Sequence, residues 1–160
     1  MTFLLTMRGI PQIYYGTEVL MTGTKEEGDG HLRKDFPGGW SGDKTDQFTK
    51  DGRTDMQNEA WNYMQKLLQW RKTSDAITKG TLIHYAPKGG IYVYGRVKDN
   101  HTVMVILNSA ITDQTVKMDR FTDIIGKYSI GKDVMTSKTI PIKSDLTIPA
   151  NGEYVLELSN

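Results

Sequence analysis

The chain has 160 residues with 20 basic and 19 acidic side chains, a formal net charge of +1, too balanced for a nucleic-acid or anionic-membrane partner. The absence of cysteine excludes disulfides, Cys-ligated zinc, iron–sulfur chemistry and a thiol nucleophile. The apolar opening Met1–Met7 falls far short of the roughly 20 residues of a membrane span and lacks the basic region and cleavage site of a signal peptide.

Met1–Met7 reads as the last turns of a helix, entered through the apolar run Phe3-Leu4-Leu5 without a polar cap, as in a chain cut from something longer. Ile10–Tyr15 is a β-branched and aromatic run between Gly9 and Gly16 that suits a buried strand. From Thr22 to Arg53 periodicity disappears among clustered glycines, which predicts a long loop of the functional kind, anchored by Leu32, Phe36, Trp40 and Phe48. Thr54 and Gln57 form a capping-box pattern, and Ala60, Trp61, Met64, Leu67, Leu68 and Arg71 recur at helical spacing, predicting an amphipathic helix over Asp55–Thr73.

After Gly80 the period changes to two. Strands are predicted at 81–85, 91–97, 102–108, 114–118, 128–130, 138–142, 145–148 and 152–158, with one helical turn at 119–125. Lys88-Gly89-Gly90 and Asp99-Asn100-His101 have hairpin chemistry. The fold class is mainly β: a C-terminal antiparallel sandwich preceded by helix and loop.

Few residues offer chemistry. Glu26 and Glu27 read as a solvated pair, and Glu18 as a carboxylate bracing the loop. Gly28-Asp29-Gly30 starts like a dinucleotide fingerprint but meets Arg33 at the third glycine position, so no cofactor is expected. The spacing of Asp43, Asp46, Asp51 and Asp55 fails the calcium-loop pattern, and His31, His84 and His101 form no ligand pair, so no metal is expected. No Gly-x-Ser-x-Gly elbow is present. Asp29, Arg33, Asp35, Phe36 and Trp40 suit a polyhydroxylated ligand, since charged groups can share vicinal hydroxyls while a ring covers the apolar face of a pyranose. The plainer alternative pairs Arg33 with Asp29 or Asp35 and uses the rings as plugs.

Arg8-Gly9-Ile10-Pro11-Gln12-Ile13-Tyr14-Tyr15-Gly16-Thr17-Glu18 resembles the eighth barrel strand of α-amylase-family glycoside hydrolases. Gly28-Asp29-Gly30-His31-Leu32-Arg33-Lys34-Asp35-Phe36-Pro37-Gly38-Gly39-Trp40 resembles the neopullulanase and cyclomaltodextrinase branch. The resemblance implies that 1–79 are the end of a (β/α)₈ barrel, with eighth strand, long loop and final helix, and that 80–160 are the C-terminal β-sandwich. A whole barrel takes roughly 250 residues, so most of it, with the two aspartates and the glutamate of retaining hydrolysis, is expected before Met1. No catalytic residue is therefore assigned, and the isolated chain is expected to be inactive.

The same resemblance implies that Asp29 and Arg33 contact glucose on the non-reducing side of the cut, with Gly30 standing where many relatives have proline. Trp40 and Tyr15 are further substrate-binding candidates. The expected partners are an α-glucan oligosaccharide, met through the parent enzyme, and the barrel preceding this segment. The branch implies a bacterial enzyme, periplasmic or cytoplasmic, with the periplasm favoured. Two alternatives remain for the sandwich: a carbohydrate-binding module using Tyr92 and Tyr94, or a purely structural domain packed through Trp61, Leu68 and Trp70.

Overall fold

The computed structural model describes all residues from Met1 to Asn160. Packing divides them into two compact units, Met1–Gly9 with Leu67–Asn160, and Ile10–Lys66.

In the first unit, short runs of alternating apolar residues become β1 (Thr81–His84), β2 (Ile91–Lys98), β3 (His101–Asn108), β4 (Gln114–Val116), β5 (Ile130–Asp133), β6 (Thr139–Pro141), β7 (Leu146–Ile148) and β8 (Glu153–Ser159). Six of them form one antiparallel sheet in the order β1-β2-β3-β8-β5-β6, and β4 pairs β7 in a small second sheet. The β1–β2 connection ends in Gly89 and Gly90, with φ of 59° and 81°, the positive values of a type I′ hairpin turn.

Period-two alternation sends β3 side chains to two cores. Met104 and Ile106 join Val93, Leu156 and Leu158 against Val116, Ile148, Phe121 and Ile124, closing the space between the sheets and the helical turn α5 (Thr122–Ile125). Val103 and Val105 pack on the other face with Tyr94, Val155, Ala76 and Ile77. That face is covered by α4 (Asp75–Lys79), with Trp70 packed beside it.

The helix α1 (Thr2–Thr6) belongs to the same unit. Its Thr6 hydroxyl bonds the Tyr94 phenol, and its carbonyl end is capped by arginines: Arg71 donates to the Leu5 oxygen and Arg96 to the Thr6 oxygen. Arg96 is 3% exposed and also donates to the Gly80 oxygen at 2.8 Å. Burial lowers the pKa of both guanidiniums, and for Arg96 the neighbouring Arg71 lowers it further.

The helix predicted over Asp55–Thr73 forms over those residues, here α3, and its capping box is reciprocal: Thr54 N donates to Gln57 Oε1 and Gln57 N to Thr54 Oγ1. The segment 10–15 departs from expectation. It makes no strand, and Ile10 is 98% exposed. A strand needs a neighbouring chain to take its backbone donors and acceptors, and no residue of this chain pairs with that segment. The proposed ligand platform of Tyr92 and Tyr94 also fails: Tyr94 is fully buried, and Phe3 lies 6.2 Å from both rings.

Candidate functional site

Within Ile10–Lys66, backbone turns rather than a ladder position the side chains. A 3₁₀ turn over Thr17–Val19 is held by Gln57 Nε2, which donates to the Val19 oxygen at 2.9 Å. Thr24 and His31 both contact Glu27, the imidazole at 2.6 Å, which gives Glu27 a bracing role at the surface. A short helix, α2 (Asp29–Leu32), follows.

The four sequence-predicted residues fall into three places. Asp29 and Arg33 face each other across one helical turn at 3.9 Å, and both side chains are about two-thirds exposed. So separated and so hydrated, the pair leaves both groups open to a ligand. Tyr15 donates its hydroxyl to the Lys34 oxygen at 3.0 Å and packs on Tyr14 at 4.6 Å. Its phenol pKa is raised, first by the hydrogen bond with Tyr14 and then by burial. Tyr14, Tyr15, Thr17, Met21, Leu32 and Lys34 line a cleft of about 210 Å³. Trp40 stands apart, 67% exposed, in a turn where Asp43 accepts from the Gly38 and Trp40 amides.

The loop's second half is fastened to α3. Arg53 donates to Asn58 Oδ1 and the Gln47 oxygen, both at 2.9 Å, and lies 4.1 Å over the Trp61 ring. Asn58 reaches back to the Lys50 oxygen, while Phe36 and Phe48 pack at 4.5 Å. Trp61 is thus covered by a guanidinium. Asp43 and Asp46 are spent on backbone amides. Of the four anchors foreseen for the loop, Phe36 and Phe48 act as such, whereas Trp40 is displayed.

Residues 82–157 match the family described as the cyclo-malto-dextrinase C-terminal domain. This segment belongs to that family. Over 93% of its length the chain is 27% identical to an α-amylase of Niallia circulans, of which it covers 26%. Over 66% of its length it is 35% identical to a cyclomaltodextrin glucanotransferase of Geobacillus stearothermophilus, of which it covers 12%. The chain therefore spans about a quarter or less of these curated relatives. Among solved structures it overlays an α-amylase of Geobacillus thermoleovorans complexed with acarbose, with a TM-score of 0.75 and 22% identity over 99% of this chain and 32% of that one. The likeness to a three-domain cyclomaltodextrin glucanotransferase gives 0.67 and 23% over 98% and 30%. At such identities these structures attest the fold.

In the sheet unit, sequence reading missed a cleft of about 530 Å³ lined by residues 73–76, 98–99, 101–103 and 157–158. Its parts come from three distant stretches, none with a motif, so only the tertiary fold reveals it. One local signal existed: Ser74-Asp75 is a helix-start pair, and α4, which it begins, was not predicted.

Proposed function

We propose that this chain is the C-terminal portion of an α-glucan hydrolase of the neopullulanase and cyclomaltodextrinase branch, opening α-1,4 links in starch oligosaccharides, pullulan or cyclodextrins. The match of residues 82–157 to the cyclo-malto-dextrinase C-terminal domain carries this reading. In it, residues 1–79 are the end of the barrel and 80–160 the domain behind it. The unpaired, exposed segment at 10–15 is then a barrel strand whose neighbours lie in the rest of the barrel.

Retaining hydrolysis needs two carboxyl groups about 5 Å apart across the scissile bond, a nucleophile and an acid/base. We assign neither to this chain. Its contribution is binding: Asp29 accepts from, and Arg33 donates to, vicinal hydroxyls of a glucose unit, a pairing favoured by their 3.9 Å separation and exposure. Tyr15 and the displayed Trp40 ring offer faces to the sugar.

The intact mass of the protein in its source cells tests the reading. A mass several times 18.1 kDa, with reducing-end release from starch by that protein and none by residues 1–160 alone, is expected. A native mass of 18.1 kDa, or hydrolysis by the 160-residue chain itself, overturns it. In the full-length enzyme, Arg33→Ala is expected to raise KM for maltooligosaccharides by about tenfold, the loss of one charge-assisted hydrogen bond of roughly 1.5 kcal/mol.

A further inference from the structure

The turn ahead of α2 and α2 itself meet at one atom, His31 Nδ1. The Thr24 amide nitrogen lies 3.2 Å from it and Glu27 Oε2 lies 2.6 Å from it. A ring nitrogen carries either one in-plane lone pair or one proton. With the lone pair it accepts the Thr24 N–H but faces a carboxylate oxygen that has nothing to donate. With the proton it donates to Glu27 and has no place for the Thr24 amide. The two contacts therefore belong to two protonation states. The shorter one selects between them, because at 2.6 Å a ring nitrogen and a carboxylate oxygen need a proton between them.

The surroundings leave this proton to the pair alone. From the turn 24–27 the ion-pair partner of His31 is Glu27, whose Oε2 also accepts from the Thr24 hydroxyl at 3.2 Å. Lys25 and Glu26 of the same turn are exposed. On α2, Asp29 and Arg33 are joined to each other, and Lys34 beyond it lines the cleft with Tyr14 and Tyr15. The junction is also close at the backbone. A Cβ on Gly23 would lie 2.5 Å from the His31 carbonyl oxygen, and the His31 amide donates to the Gly28 oxygen at 3.1 Å. A change in how Thr24 and Glu27 meet the imidazole is thus passed to α2 with little slack to absorb it. An imidazole is the side chain whose charge ordinarily changes between about pH 5 and 8.

We propose that Thr24, Glu27 and His31 form a proton-dependent clasp on the substrate loop, setting the place of α2 and, through it, the hold of Asp29 and Arg33 on a glucose unit. The last step rests on the reading of those two residues as sugar contacts. Glu27 and His31 are positioning residues and touch no sugar. In the protonated state Nδ1 donates to Glu27 and the turn is drawn onto α2. As pH rises through the imidazole titration the proton passes to solvent, the facing lone pairs repel, Glu27 swings out and Nδ1 takes the Thr24 amide instead. The closed clasp is therefore present at low pH and lost as pH rises. With side chains 40% and 59% exposed, its effect is modest, about threefold in sugar affinity.

An NMR titration of the ¹⁵N-labelled 160-residue chain from about pH 5 to 9 tests the clasp without sugar. The Thr24, Glu27, Asp29 and Arg33 amides are expected to shift with one midpoint, shared with the His31 ring nitrogens. Glu27→Gln is the decisive variant, since a carboxamide can donate to a neutral imidazole and accept from a charged one. The contact then persists in both states, and the Asp29 and Arg33 shifts are expected to shrink about threefold; His31→Ala abolishes them. In the full-length enzyme, KM for maltooligosaccharides divided by that of Glu27→Gln should rise about threefold from pH 5.5 to 8.5, while the corresponding kcat quotient stays flat. The quotient cancels the titration of the catalytic carboxyl groups. Amide midpoints that differ from that of His31, or shifts undiminished in Glu27→Gln, overturn the clasp. A KM quotient constant with pH overturns its action on sugar binding. Arg33→Ala with unchanged KM removes the sugar reading and with it the last step, whereas the amide titration judges the clasp independently.

Discussion

Met1–Gly9 with Leu67–Asn160 and Ile10–Lys66 are held together by different means. The first buries two apolar clusters on opposite faces of one sheet, with Met104, Val105, Ile106, Val155 and Leu156 fully enclosed. The second buries only Gly16, Val19 and Met64, and keeps its course through side chains that bond backbone groups: Asp43, Asp46, Arg53, Gln57 and Asn58. Apolar burial is cooperative and tolerates no lost volume. Loop hydrogen bonds are local, each worth about 1 kcal/mol net. One unit should respond to mutation as a whole, the other site by site.

The largest expected effect is therefore in the sheet. Leu156→Ala should cost about 2 to 5 kcal/mol, read as a fall in the thermal midpoint, because Leu156 sits sealed among Met104, Ile106 and the helical turn. Trp40→Ala, at an exposed ring, should stay within about 0.5 kcal/mol. Equal losses would erase the contrast between the units.

Next comes a pH effect confined to the sheet unit. Burial pushes the Tyr94 phenol up to about 12, against the lowering influence of its bond to Thr6. The unfolded chain releases that proton from about pH 10, so Tyr94 favours the folded state fully below pH 10, and this stability is lost as pH rises through 12. The two-unit gap corresponds to roughly 2 to 3 kcal/mol. Urea unfolding at pH 9 and pH 12 should show the loss, and Tyr94→Phe should remove that part of it. A slope unchanged in Tyr94→Phe would sink the assignment.

Asn108, 4% exposed, should rank close behind. Its amide donates to the Thr112, Ile148 and Pro149 oxygens, and its Oδ1 accepts from the Ala110 amide at 2.9 Å. Asn108→Ala strands buried carbonyls, at about 1 to 3 kcal/mol. Arg53→Ala is its counterpart in the loop. It should speed hydrogen exchange at Gln47 and Phe48 by roughly fivefold, about 1 kcal/mol, while the thermal midpoint of the sheet barely moves.

The same contrast governs what the sequence could disclose. Seven of the eight strands were foreseen where they form because alternation is local and the turn residues are explicit, and α3 because its cap and stripe lie within one window. The fifth strand was misplaced at 128–130. It forms at Ile130–Asp133, through Gly131, Lys132 and Asp133, poor strand formers that pairing with β8 overrides. Gly131 is required there, since a Cβ would lie 2.9 Å from that of Leu156. The five-residue α4 was too short to show a period. Residues 10–15 had strand composition without a partner, which composition cannot supply. For the loop, sequence named Asp29 and Arg33, but that they sit one helical turn apart on α2 is a fact of the fold.

The smallest expected effect bears most on the candidate site. Arg33→Ala should alter stability by less than about 0.5 kcal/mol, because a pair at 3.9 Å with both side chains about two-thirds in solvent has little to lose. A loss above about 1 kcal/mol in thermal unfolding would mean that Arg33 braces the loop, as Arg53 does, and is not held in reserve for a ligand. Silence in stability joined to weakened sugar binding is the signature of a recognition residue, since a structural role cannot produce the second without the first.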